Sequence, residues 1–207
     1  MSTTFSVFPL RTDLPSFREV LNLSTEKLNR FLKDYQIDFQ AKIEVRLLAD
    51  KDNAEQKLDL DSLAKWNDDF YAWFSVSNIN GGADSYYWEL SEEDKADNLE
   101  ELLNKELEEG RRKLIENCLE NKVQWHFRKS AGQLCITGIA YGFIASSFAQ
   151  LTNGIIFSGD GGWDYQIFPA TFDEFDSVYF RPEKAISEDK QRGVKDCIEN
   201  LPFELKI

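Results

Sequence analysis

Apolar positions along this chain follow two periods, and the switches between them outline the fold. From Leu134 the apolar residues Ile136, Ile139, Ala140, Phe143, Ile144, Phe148 and Leu151 recur mostly in steps of three and four. That spacing predicts a helix. Beside the stripe lie Gly138, Gly142, Ala145, Ser146 and Ala149, small residues that let another element approach closely. The helix is therefore expected to lie flat on a sheet. Thr152-Asn153-Gly154 supplies its stop. Ile155-Ile156-Phe157 then reads as a short buried strand, ending in the turn Ser158-Gly159-Asp160-Gly161-Gly162. Trp163 to Phe168 alternates and is expected to pair back as a hairpin until Pro169 stops it.

The same reading covers the rest of the chain. A short edge strand is expected at 5–10, and Leu14-Pro15-Ser16 opens a helix, with Ser24 as a second N-cap. Ile43, Val45 and Leu47 alternate with charges in a strand over 39–48. Residues 50–61 carry acids at the first and third positions of a calcium loop, but Glu55 stands where the glycine bend belongs. The segment therefore reads as a solvated loop, leading into a short helix at 60–66. The aromatic runs 70–76 and 85–90 predict a hairpin around Gly81-Gly82. Ser91-Glu92-Glu93-Asp94 starts a helix expected to reach Glu120, with Gly110 marking a break. The strand at 123–128, the helix at 134–151 and the strand at 155–157 allow a βαβ crossover and a parallel pair. An acid-rich helix at 187–200 follows, with Leu201-Pro202-Phe203 packed against the domain. The expected fold is a single α+β domain: a mixed, mostly antiparallel sheet with helices mainly on one face.

Composition narrows this picture. The 207 residues carry 37 acidic and 24 basic side chains, a formal charge of −13. Nucleic acid and anionic membrane surfaces call for a basic face, so neither is the expected partner; a basic protein is. The segment 134–151 has the length of a membrane span, but Thr137, Ser146, Ser147 and Gln150 interrupt it and no basic cluster flanks it closely. A buried core helix is the expectation. Cys118, Cys135 and Cys197 are scattered singly, which signals neither a disulfide framework nor a zinc site. Reduced thiols and a cytoplasmic setting are expected, and no basic-then-apolar leader opens the chain.

Candidate chemistry is sparse. His126 is the lone histidine, placed on the polar side of its strand with Gln124 and Arg128. No nucleophile-elbow, zincin, Walker or dinucleotide motif is present, and Gly81-Gly82 opens no phosphate loop. No catalytic residue, metal ligand or cofactor is assigned. The carboxylates Asp160 and Asp164, with Asp84 in the other glycine turn, define an alternative: a metal-dependent hydrolase. The ordinary role of Asp in turns competes with it. The contact set expected for a protein partner is Asp84, Tyr86, Trp88, Asp160, Trp163 and Asp164, acids beside aromatics at two glycine turns.

Ala145, Ala149, Thr152 (one residue late), Gly154, Ile155 to Ser158 and Asp160 to Asp164 form a helix–glycine–strand–acidic-turn pattern. It resembles small acidic bacterial immunity proteins of polymorphic toxin systems, over about 40 residues between Phe143 and Pro182. The resemblance implies no catalytic residues; it implies a cytoplasmic protein that neutralises a cognate toxin by tight binding. The leading expectation is a non-enzymatic acidic binding module. The metal-dependent hydrolase and a homo-oligomeric structural protein are the alternatives, and the oligomeric state is not legible.

Overall fold

The computed structural model describes residues 2–206 other than 104, 105, 161 and 164, and the backbone alone of residue 165. Eight strands form one sheet: β1 (Thr3–Phe8), β2 (Ile43–Ala49), β3 (Glu55–Gln56), β4 (Phe70–Val76), β5 (Ala83–Glu89), β6 (Val123–Lys129), β7 (Ile155–Phe157) and β8 (Ala170–Thr171). Their spatial order is β3-β2-β4-β5-β6-β1-β7-β8, and every neighbouring pair is antiparallel. Among the described residues six helices accompany it: α1 (Phe17–Asp34), α2 (Glu92–Leu102), α3 (Glu109–Glu120), α4 (Cys135–Thr152), α5 (Phe172–Val178) and α6 (Glu188–Glu204). This is an α+β fold.

The first strand is not at the edge. Phe5, Val7 and Phe8 are all fully buried, Phe5 and Val7 in one hydrophobic cluster and Phe8 in another. A strand apolar on both sides is stable only inside a sheet. β1 accordingly lies between β6 and β7, antiparallel to both. The crossover from β6 through α4 to β7 therefore exists, but β1 separates the two strands and no parallel pair forms.

One face of the sheet carries the large core. α4 crosses it with fifteen of its residues buried, among them Ile139, Phe143, Ile144 and Phe148. Among the described residues it is the one helix with the length and hydropathy of a membrane span, and 83% of it is buried inside the fold. Its small residues do what their spacing predicts. A Cβ at Gly142 would stand 2.1 Å from Cζ of Tyr179, whose hydroxyl donates to the Gly138 carbonyl at 2.6 Å. Asn153 ends the helix in the left-handed conformation, φ 51°. α1, α5 and α6 pack around α4. Lys27 of α1 is buried against Asp176 of α5 (2.6 Å) and Ser146 of α4 (2.7 Å), which ties three helices at one point.

α1 starts at the capping box of Ser16 and Glu19. Its next free N–H groups are met by the segment expected to be a short helix at 60–66. Phe17 N–H donates to the Ser62 carbonyl (3.1 Å) and Arg18 N–H to Leu60 (2.8 Å). That segment is a run of turns and bends with one isolated bridge, Leu63 to Ser16, and its carbonyls serve the helix start. Ser24 is no second cap: the helix continues through it, and its buried Oγ donates to the Val20 carbonyl at 2.6 Å.

The other face is covered only in part. Phe8, Leu90 and Ile155 meet Leu102 of α2 and Ile115, Cys118 and Leu119 of α3 in a second, smaller cluster. The expected long helix at 94–120 is these two helices, joined around residues 103–108. Gly110 lies in the first turn of α3 rather than at the break. Two further expectations are overturned. The described residues of 163–168 form no strand; Tyr165–Ile167 is a 3₁₀ turn, and β8, beyond Pro169, is what pairs with β7. The C-terminal helix runs through Pro202 to Glu204; Leu201 is fully buried as expected, but Phe203 is 73% exposed rather than packed.

Cysteine usage also departs from expectation. Cys135 at the start of α4 and Cys197 in α6 form a disulfide, Cα atoms 5.5 Å apart across 62 residues of chain. Separation in sequence hid the pairing, because α6 returns to α4 only in the folded chain. Cys118 stays a free thiol, and burial pushes its pKa up to about 12, which leaves it unreactive at neutral pH.

Candidate functional site

The incompletely covered face holds the chemistry. Period-two alternation in β5 puts Ser85 and Tyr87 toward the core and Asp84, Tyr86 and Trp88 on the opposite face. The register with β6 sets these three against Arg128, His126 and Gln124. The rings form a ladder: Tyr71 to Tyr86, 6.1 Å between centroids; Tyr86 to Trp88, 6.0 Å; Trp88 to His126, stacked at 4.9 Å. The hairpin behind it needs its glycine, since Gly81 has φ +99°.

Asp84 serves this surface from below. It is 7% exposed and ion-paired with Arg128, whose Nε donates to Oδ2 at 2.9 Å. The Tyr86 hydroxyl donates to the same carboxylate oxygen at 3.3 Å, and the Arg128 guanidinium lies 5.9 Å over the Tyr86 ring. Burial, then the Asp84 charge, holds the Tyr86 hydroxyl above its ordinary pKa, so it remains a donor.

Where α2 leans over the sheet, a cleft of about 400 Å³ opens. Ser6, Gln124, His126 and Trp88 form its floor, Asp94, Asn98 and Glu101 of α2 one wall, and the Ser158–Asp160 turn the other. Gln124 Nε2 donates to Ser6 Oγ at 2.8 Å, and Ser6 Oγ and His126 Nδ1 share a hydrogen bond of 3.2 Å. Burial lowers the His126 pKa, with Asp160 opposing and Arg128 assisting, which favours the neutral ring; its second nitrogen is Nε2. Among the described residues no carboxylate bonds that second nitrogen. Ser6 and His126 thus touch as a nucleophile and base would, without a third group to orient the imidazole.

Asp160 closes the cleft and anchors β1. Its Oδ1 accepts from Thr4 N–H (2.9 Å) and Ser158 Oγ (3.2 Å), and its Oδ2 from Thr4 Oγ1 (2.9 Å). Asp94 closes the α2 capping box with Ser91, whose hydrogen bonds lower its pKa. With Glu101, Asp94 and Asp160 are the only charged side chains among the described lining residues, which include no lysine or arginine. Among the described residues no group of three or more His, Cys, Asp or Glu could hold a metal ion.

Of the expected contact residues, the structure brings Asp84, Tyr86, Trp88 and Asp160 to this face. Trp163 is elsewhere: it is 2% exposed on the helix side, edge-on to Tyr179 (5.0 Å) and stacked on Phe180 (5.4 Å). Asp164 lies outside the described residues. Ser6, Gln124, His126 and Glu101 were missed as cleft residues. Alternation places Gln124 and His126 on one face, but nothing local announces that β1 and α2 arrive beside them. No protein-family model, curated protein or solved structure matches this chain.

Proposed function

We propose that this chain is a non-enzymatic binding protein whose open sheet face receives a basic side chain of a protein partner, with toxin neutralisation as the specific role. One observation carries the reading: a cleft floored in part by Trp88 and His126 whose charged side chains, among the described residues, are all acidic. An Arg or Lys entering it gains a cation–π contact with Trp88 and pairing with Glu101, and the chain's −13 charge speeds its approach.

The test is a nuclear magnetic resonance titration with an arginine- and lysine-rich peptide, at low and high salt. Shifts concentrated at the Trp88 indole N–H, Gln124 and His126, and weakened by salt, are expected. The double variant Trp88→Ala, Glu101→Gln lowers affinity about tenfold, since each contact contributes on the order of 1 kcal/mol. Shifts scattered over the surface, or an unchanged affinity in the variant, would overturn it. The toxin role has its own readout: a basic protein captured by the wild type whose toxicity is suppressed by the wild type and not by the variant.

A further inference from the structure

Thr3 and Thr4 are consecutive in β1 and point to opposite faces; Thr4 lines the acidic cleft, and Thr3 lines a second cavity of about 330 Å³ on the helix side. This volume is at the small end of ligand sites. Its walls are aromatic (Tyr141, Trp163, Tyr179 and Phe180), and the Cys135–Cys197 disulfide lies among them. Two glycines make the room. A Cβ at Gly193 of α6 would meet nothing within 4 Å, and the stem of Lys129 crosses Gly138, its Cε 3.8 Å from the point a Cβ there would occupy.

Lys129 distinguishes this cavity from a packing defect. It is half-buried, and among the described residues no carboxylate lies within ion-pair distance of its ammonium. The one described acid in the lining, Asp189, is paired with Arg192. Burial lowers the Lys129 pKa, and among the described residues no acid opposes it. Lys190, the other lining cation, lies over the Trp163 ring at 5.0 Å. In a chain of net charge −13 this cavity has a basic lining, and it is apolar besides. A second donor is also unmet: the Trp163 Nε1–H is buried with no acceptor among the described residues.

We propose that this cavity is a binding site for a small apolar monocarboxylate, of the arylalkanoate class, with its carboxylate on Lys129 and its body against Tyr179, Phe180 and the disulfide. The Lys129 ammonium matches the single negative charge of a carboxylate. The inference is independent of the open face.

Calorimetric titration of the full chain with hydrocinnamate and its neutral amide tests it. The acid binds saturably, and about tenfold or more tighter than the amide. Lys129→Met abolishes that difference. Gly193→Phe, which fills the cavity, abolishes binding of both, and Gly193→Leu does the same should the larger side chain prevent folding. Trp88→Ala, on the open face, changes none of these values. Absence of saturable binding by the acid, equal affinities of acid and amide for the wild type, or unchanged binding in the filled variants would overturn the proposal.

Discussion

The two faces of the sheet are built from alternate residues of the same strands, yet they are different materials. On the helix face, Phe5, Val7, Trp125 and Phe127 are fully buried, and Phe148 of α4 packs within 4.8 Å of the Trp125 ring and 5.2 Å of Phe127. One residue along, Thr4, Ser6, Gln124, His126 and Arg128 face a cleft or water, bonded to one another and to Asp160 and Asp84. What separates them is helix supply. α1, α4, α5 and α6 remove one face from water, while α2 and α3 reach only the end of the other. Hydrophobic burial decides the first face, and hydrogen bonds between partly wet groups decide the second.

The largest expected effect breaks this symmetry directly. Phe148→Ala should cost about 3–5 kcal/mol, since its neighbours are rings that cannot collapse into the void. Trp88→Ala, a larger deletion on the open face, should cost about 1 kcal/mol because the side chain is already 38% exposed. Chemical denaturation of both variants checks the pair, and equal losses would dissolve the distinction.

A smaller effect probes the buried ion pair of Lys27 and Asp176 on the helix face. Burial pulls the Lys27 pKa down while Asp176 opposes it, which identifies an ammonium taken from water and held by its partner. Asp176→Ala should cost about 3 kcal/mol by leaving that charge unpaired, at the lower end because Asp176 keeps some solvent contact. Lys27→Met should change stability by about 1 kcal/mol or less in either direction, since a well-packed thioether replaces a costly charge. A Lys27→Met loss as large as that of Asp176→Ala would show the pair to be a net source of stability.

The smallest effect sharpens the open face. The folded state holds the His126 pKa below its ordinary 6.5. Below pH 6.5 the unfolded chain therefore binds more protons, and stability falls as the pH drops toward the folded pKa. The slope from this group is at most about 1.4 kcal/mol per pH unit. His126→Gln should flatten the stability profile between pH 6.5 and the folded value; coincident profiles would mean that the ring is not buried as described.

Local signals carried much of the secondary structure. Ser16 with Glu19 and Ser91 with Asp94 were readable as helix starts, Asn153 as a stop, and the hairpin at 70–89 from its aromatics and glycines. Elements defined by a distant partner were not legible. Residues 60–66 turn and bend so that their carbonyls meet the start of α1, and β1 is central because α3 covers Phe8 from the far side. The site followed the same rule. Asp84, Tyr86 and Trp88 share a face by alternation alone, whereas Glu101 and Asp160, 59 positions apart, meet only because α2 and the β7 turn close on the same strands. Trp163 looked like a contact-loop residue by its neighbours, yet α6 and Phe180 bury it.

By itself the sequence determined the α+β class, the flat core helix with its small-residue side, the polarity of each strand face and the acidic character of the whole. These depend on residues close in the chain, where steric period and side-chain transfer free energy act directly. The tertiary structure alone decided the strand order, the Cys135–Cys197 bridge, the burial of Trp163 and the two cavities on either side of β1. Each of these rests on contacts between residues far apart in sequence, chosen by whichever arrangement buries the most apolar surface while leaving its polar groups bonded.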